Sequence, residues 1–343
     1  MESGALRRLG LWCLLVAMVV CGGGVQPAVA QGITGERPGM KPRSTTFRIG
    51  YIRQDPESVT TEGVFLRLRD FLLDQPAVTS AMEDASVENI LLSSFETHHM
   101  LIEAMDAEQV DLAFCTVVDY AYQRGSYEPV YQLRRPGDPH SSSGGRRVWH
   151  SGVIFVNNRS PLFDMETSAA LAALPEYVIQ QEVAMVGSSS AAGYVYPYLA
   201  LDRLTSGTGG VRYMRSVFWE SSSEVVKAVI NGIHDIGACD SSALDEVLKA
   251  HGLLDQKPTL VRELLRTDPV PRDPVVLHTR WLVNSPYAGQ EQNALGREIT
   301  RAVAAFFRRD PNLPRLERTS REPFVEVSEN LERFQQIRDQ NND

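Results

Sequence analysis

The chain has 343 residues, 43% of them hydrophobic and 22% charged, which supplies ample material for a core and excludes a disordered chain. At this length two domains or one large one are expected. A formal charge of −9 without long Lys/Arg clusters argues against gripping nucleic acid or an anionic membrane, so any bound anion must be attracted by local backbone and hydroxyl donors.

In chain order, Arg7 and Arg8 precede an apolar run over residues 9–20 that is too short to span a bilayer comfortably. Ala28-Val29-Ala30 then offers the small-x-small pattern of a signal peptidase site, so residues 1–30 are expected to be a signal peptide and the mature protein periplasmic. Lipoprotein anchoring through Cys21 is the weaker alternative, because Val20 stands where a lipobox wants a small residue. Residues 31–45, rich in Gly, Pro, Ser, Thr and charge, read as a flexible linker.

Strand and helix patterns alternate through the rest. A strand over 47–52 is followed by helical spacing of Val64, Leu68, Phe71 and Leu72, a strand over 86–92, a helix over 95–105 and a strand over 110–114. After a polar stretch at 141–147 come a strand over 148–156, a helix over 168–174, a strand over 182–186, a helix from about Ser190 and a strand over 233–239. Such alternation predicts an α/β fold with mostly parallel sheets flanked by helices. Residues 104–115 align without gaps on 228–239: Ala104 meets Ala228, Asp111 meets Asp235, Ala113 meets Gly237 and Cys115 meets Cys239. Each segment is a helix end, a turn and a strand, which suggests two similar lobes facing one cleft. Ligands of open α/β sheets bind beyond the carboxyl ends of strands, so the residues just after Cys115 and Cys239 are where chemistry is expected.

Two segments carry candidate ligand chemistry. Gly187-Ser188-Ser189-Ser190-Ala191-Ala192-Gly193-Tyr194 links an apolar strand to an apolar helix; Ser190 is a good N-cap, and the N–H groups of a first helical turn attract anions. The segment lacks the Gly-Lys-Ser/Thr ending of a Walker loop and the glycine spacing of a nucleophile elbow. Asp240-Ser241-Ser242-Ala243-Leu244-Asp245 follows a strand; Ser242 with Asp245 reads as a capping box, leaving Asp240 to point into the cleft toward a protonated oxygen or an ammonium.

Several segments, in order, resemble the phosphonate/phosphate/phosphite-binding family of periplasmic solute-binding proteins. They are Ile49-Gly50-Tyr51, Ile102-Glu103-Ala104-Met105 through Val110-Asp111-Leu112-Ala113-Phe114, and Ser190-Ala191-Ala192-Gly193-Tyr194-Val195-Tyr196-Pro197. Asn231-Gly232 through Asp235-Ile236-Gly237-Ala238-Cys239-Asp240-Ser241-Ser242 and the proline-rich Pro269-Val270-Pro271-Arg272-Asp273-Pro274 complete the set. The resemblance implies a two-lobed Venus-flytrap fold with two hinge crossovers. On that frame lobe 1 takes 46–155, lobe 2 takes 156–265, and 266–343 returns to lobe 1 and ends in a tail. It further implies a small oxyanion ligand contacted by Ser188, Ser189, Ser190 and Asp240 with aromatic help from Tyr51 and Tyr120, an ABC permease as partner, a monomer, and no cofactor. The chain departs from the family pattern at Ala191 and Ala192, where hydroxyl residues are expected, and at Ser222, where a histidine is often presented; Ser188, Ser189 and Ser222 are the candidates to compensate.

Other residues read as structural. His98 and His99 lack a metal-ligand pattern, no HExxH occurs, and Trp149, Tyr196, Trp219 and Trp281 read as packing. Cys115 and Cys239, the two cysteines outside the leader, are too few for a disulfide framework and read as buried small hydrophobes; a redox latch across the cleft is the sharper alternative. Three rival readings remain: a sensor component partnering a membrane kinase; an enzyme on the same fold, for which no spaced triad or metal set is found; and co-binding of a cation with the anion, with Tyr and Asp as its ligands.

Overall fold

The computed structural model describes residues 45–53, 62–134, 149–205, 210–282 and 290–339. The expected signal peptide, Cys21 and nearly all of the 31–45 linker therefore lie outside the described residues.

The first half starts with β1 (Thr46–Ile52), followed by α1 (Glu62–Leu73), α2 (Pro76–Asp84) and β2 (Asn89–Phe95). Next come α3 (His98–Asp106), β3 (Leu112–Phe114), α4 (Val117–Gln123) and β4 (Tyr127–Arg134). The chain then enters β5 (Trp149–Asn157), α5 (Thr167–Gln180) and β6 (Glu182–Val186), and a π-helical turn (Ala191–Val195) runs straight into α6 (Tyr196–Leu204). It continues through β7 (Arg215–Trp219), α7 (Ser222–Ile230), β8 (Ile236–Asp240), α8 (Ser241–Ala250), α9 (Lys257–Leu260) and β9 (Val261–Pro271). The last elements are β10 (Pro274–His278), α10 (Gln290–Arg309), β11 (Arg315–Arg318) and α11 (Val325–Asp339).

Among the described residues, eleven strands form two sheets, ordered β11-β4-β10-β3-β1-β2 and β7-β6-β8-β5-β9. Both are mixed rather than mostly parallel. In the first, β1 is parallel to β2 and β3, while β10 and β11 run antiparallel to their neighbours. In the second, β6 is parallel to β7 and β8, while β5 is antiparallel to β8 and β9. The physical reason is connectivity: β5 and β10 are entered from the other sheet instead of by a return over a helix, so they run against the parallel strands, and β9 pairs antiparallel with β5. Because β5 and β9 belong wholly to the second sheet, the expected boundaries at 155/156 and 265/266 fall inside strands. The sheets change between Arg134 and Trp149 and again at Arg272–Asp273. The C-terminal segment also does more than return to the first half. α11 packs on α4 and α6 together, with Phe334 edge-on to Tyr194 and Tyr198 at 5.2 Å each.

Element limits differ from expectation where a local side chain or turn decides. The strand expected at 86–92 begins three residues later because Ser86 adopts a left-handed backbone (φ 56). The helix expected from 95 waits for Thr97, whose hydroxyl accepts from Met100 N at 3.2 Å. α5 continues past Leu174 despite Pro175, since Leu174 and Val178 are both fully buried along one face. There tertiary packing outweighs the lost N–H. The aligned segments 104–115 and 228–239 occupy corresponding places: α3 leads into β3 and α7 into β8, each strand lying parallel beside β1 or β6.

Candidate functional site

Every parallel strand of both sheets delivers a residue at its carboxyl end to one cavity of ≈ 360 Å3. Ile52 ends β1, Glu96 follows β2 and Thr116 follows β3; Val186, Trp219 and Asp240 end β6, β7 and β8. Since β5 runs antiparallel to β8, with Gly152 opposite Asp240, the start of β5 lies at this same edge and brings His150 with it. β9 pairs Pro271 with Trp149, so the chain leaves the second sheet at the same place, and Arg272 and Asp273 of the crossing complete the wall.

The start of the π turn forms one side. Ser189, Ser190, Ala191 and Ala192 line the cavity, and Ser190 Oγ accepts from Gly193 N at 3.1 Å. Having accepted there, the Ser190 hydroxyl still has its own hydrogen to donate. Gly193 does not approach a ligand: a Cβ there would lie 2.4 Å from Val186 Cγ2, so the glycine lets the helix start sit on β6. A Cβ on Gly152 would likewise meet Ala192 O at 2.2 Å, which locks β5 under the same turn.

Asp240 is the electrostatic centre. It is 3% exposed, and both of its oxygens are engaged. Oδ1 accepts from Ser242 N (2.9 Å) and Ser242 Oγ (3.1 Å), so Asp240, and not Ser242, is the N-cap of α8. Oδ2 accepts from Arg272 Nη1 and lies 2.8 Å from His150 Nδ1. Burial alone would raise this carboxyl, but His150, Arg272 and the Ser242 N–H together hold it well below the usual carboxylate range. Asp240 N in turn donates to Ser222 Oγ at 3.3 Å.

The other expected ligand residues divide. Ser189, Ser190 and Asp240 line the cavity, whereas Ser188 is exposed and absent from its lining, and Ser222 is buried behind Asp240. Tyr51 stacks on Phe65 (3.8 Å) and Tyr120 packs edge-on to Phe324 (5.2 Å), both inside the core and not among the cavity-lining residues. Of the residues read as structural, His98 lines the cavity with Nδ1 2.7 Å from buried Asp119, and Trp219 forms part of the wall. His99 is exposed beside Glu103, and Tyr196 and Trp281 are core residues. Cys115 and Cys239 are buried thiols turned to different carbonyls, Pro274 O at 4.0 Å and Asp240 O at 3.3 Å. Among the described residues no group of three His, Cys, Asp or Glu is placed to hold a metal, and no helix is long and apolar enough to cross a membrane.

Sequence reasoning did not single out His150 or Arg272. His150 follows a polar stretch with no motif around it. The signal for Arg272 was an arginine held between prolines at a crossover, Pro271-Arg272-Asp273-Pro274.

Two mixed α/β sheets sharing one cavity at their strand ends define a two-lobed binding protein of the periplasmic type. The family described as "ABC transporter, phosphonate, periplasmic substrate-binding protein" matches residues 81–330, and the chain belongs to that family. Such proteins are the substrate-binding components of periplasmic uptake systems and work with a membrane permease.

Solved structures share the fold at low identity. XAC2383 from Xanthomonas citri, bound to chloride, is 19% identical over 85% of this chain and 99% of its own, with a TM-score of 0.57. PA3383 from Pseudomonas aeruginosa, a binding protein component of an ABC phosphonate transporter, is 13% identical over 86% of this chain and 88% of its own (TM-score 0.52). PhnD1 from Prochlorococcus marinus, in complex with methylphosphonate, is 12% identical over 85% of this chain and 98% of its own (TM-score 0.53). No curated protein matches the chain significantly.

Proposed function

We propose that this chain is an exported, monomeric solute-binding protein that captures a small phosphonate-, phosphite- or phosphate-like oxyanion and hands it to an ABC permease without breaking a bond. The observation that carries the reading is the cavity itself: both sheets supply strand ends to it, and Ser189, Ser190 and Arg272 place hydroxyl and guanidinium donors on its wall. The N–H groups of Ala191 and Ala192, at the start of a helical run that continues through α6, have no carbonyl behind them within the helix and suit an anion. The backbone thus supplies what the absent side-chain hydroxyls at 191 and 192 do not. A ligand touching both halves shifts an open–closed equilibrium in the Venus-flytrap manner, with 149–151 and 272–273 at the two crossings acting as hinge.

The test is a thermal-shift panel on the mature protein with phosphate, phosphite, methylphosphonate, 2-aminoethylphosphonate and sulfate. A specific ligand at 100 times its Kd stabilises the folded state by about 2.7 kcal/mol. One phosphorus oxyanion is expected to raise Tm, and Ser190→Ala to reduce the rise. A panel with no shift overturns the reading.

A further inference from the structure

The cavity carries an electrostatic imbalance that an oxyanion has to overcome. Arg272 is the one guanidinium on its wall among the described residues, and it stands against Glu96, Asp240, Asp273 and Glu220. Arg272 is moreover already paired with Asp240. Among the described lining residues, a fully ionised oxyanion meets more negative than positive charge. Two imidazoles, His98 and His150, also line the cavity and can present a hydrogen to it.

His150 is placed to do so. Its Nδ1 lies 2.8 Å from Asp240 Oδ2 and 3.0 Å from Arg272 Nη1. Guanidinium donates only, so Nδ1 either gives a hydrogen to Asp240 or accepts one from Arg272. Asp240 is held ionised and accepts only. The shorter contact, to an oxygen that can only accept, favours the hydrogen on His150 Nδ1, and in that tautomer Nε2 is an acceptor. A bare oxyanion oxygen is repelled by that lone pair; a proton between the two turns repulsion into a charge-assisted hydrogen bond.

We propose that His150 is a ligand-contacting residue whose Nε2 meets the oxyanion, and that the oxyanion is captured together with one proton shared between Nε2 and a ligand oxygen. The proton comes from solvent, or arrives on the ligand as a P–OH group, and is released when the ligand leaves. The inference rests on the anion-binding reading above. Among the described residues, the charged groups around His150 are Asp240 from β8 and Arg272 from the crossing after β9, with Asp273, Glu220, Glu96 and the His98–Asp119 couple sharing its cavity. By linkage, whatever the anion gains from the proton the proton gains from the anion.

The experiment is titration calorimetry of wild type, His150→Gln and the control His99→Gln, with methylphosphonate and with inorganic phosphate, from pH 5.5 to 8.5. At each pH, buffers of different ionisation enthalpy count the protons exchanged. Comparing variants at one pH cancels the ligand's own ionisation. Wild type and His99→Gln are expected to take up up to one proton more than His150→Gln at alkaline pH. Their affinity should fall more steeply with rising pH than that of His150→Gln, by up to about tenfold per pH unit for one coupled proton. Equal proton counts and equal pH slopes in wild type and His150→Gln overturn the inference while leaving the anion-binding reading intact. A wild type that binds no oxyanion of the panel removes that reading, and this inference with it. Spectra of 15N-histidine-labelled, unliganded wild type at pH 8 test the same point without a variant. A His150 tautomer protonated on Nδ1 is expected; one protonated on Nε2 would already hold a donor for the anion and overturns the proton-coupled capture.

Discussion

Replacing Arg272 by Met tests whether the Asp240 cluster is as coupled as its geometry implies. Arg272 and Asp240 are 4% and 3% exposed, so removing the guanidinium leaves a buried carboxylate without that partner. Breaking a buried pair from one side costs about 3–5 kcal/mol. Asp240 keeps Ser242 N, Ser242 Oγ and His150, and the Arg272 carbonyl keeps its bond from Gln132 Nε2. This places the expected loss at the lower end, about 3 kcal/mol at pH 8. Thermal and guanidinium melts measure this; at about 2–4 °C per kcal/mol, Tm should fall by about 6–12 °C at pH 8. The double variant with Asp240→Asn should cost clearly less than the sum of the two singles. A loss below about 1 kcal/mol at pH 8, or strict additivity, would refute the coupling.

Gly193→Ala should destabilise by about 1–3 kcal/mol, because its Cβ would press on Val186 Cγ2 at 2.4 Å and on Val186 Cβ at 2.6 Å; an unchanged Tm would show that the turn shifts freely. The protein should also lose stability above about pH 10. Burial pushes the Tyr120 and Tyr196 phenols up to about 12 and Tyr127 higher still. A group whose folded pKa is raised contributes stability that is complete below its unfolded value of about 10 and declines as pH rises from there through the folded value. Each phenol then contributes a slope on the order of 1 kcal/mol per pH unit, read from melts between pH 9 and 12. A flat alkaline limb in which the phenols ionise without loss of Tm would contradict their burial.

The fold was legible where periodicity and caps agree. The strand expected over 182–186 is β6, and the turn from Ser190 into a helix is where the sequence puts it. What was not legible depends on which strands change sheets. Nothing in the alternation of β5 or β9 says that they run antiparallel, so the mixed character of both sheets and the start of the second sheet at Trp149 were missed. The site was half legible for the same reason. Ser190 and Asp240 stand at helix starts after strands, a position with a sequence signature, and both line the cavity. His150 and Arg272 reach it only through the antiparallel pairing of β5 with β8 and β9, a tertiary fact. Tyr51 is the converse case: it stands one residue before the end of β1, and its ring stacks on Phe65 in the core.

The two aligned segments explain why the halves of the cavity differ. After β3 the chain uses a capping box, with Thr116 Oγ accepting from Asp119 N and Asp119 accepting from Thr116 N and approaching His98. After β8 the corresponding turn uses Asp240 itself as cap, and its second oxygen is thereby turned to Arg272 and His150. Asp111, just before β3, is spent on structure: it accepts from Arg48 N (2.7 Å), Arg280 Nε (2.9 Å) and Trp281 Nε1, tying β1, β3 and the end of β10 together. At the same step after the repeated unit, one half thus carries the hydroxyl cap Thr116 and the other the carboxylate cap Asp240, which alone has an oxygen left for Arg272 and His150. The consequence lies at the crossings. Asp240 binds the start of β5 and the end of β9 to β8 through His150 and Arg272, so the donors on that side are assembled within the second half and its crossing segments. On the proposed closure the first half needs only to bring Ile52, Glu96, His98 and Thr116 against a half-site whose Asp240, Arg272 and His150 side chains are already held together, so their ordering precedes the ligand rather than falling on its binding.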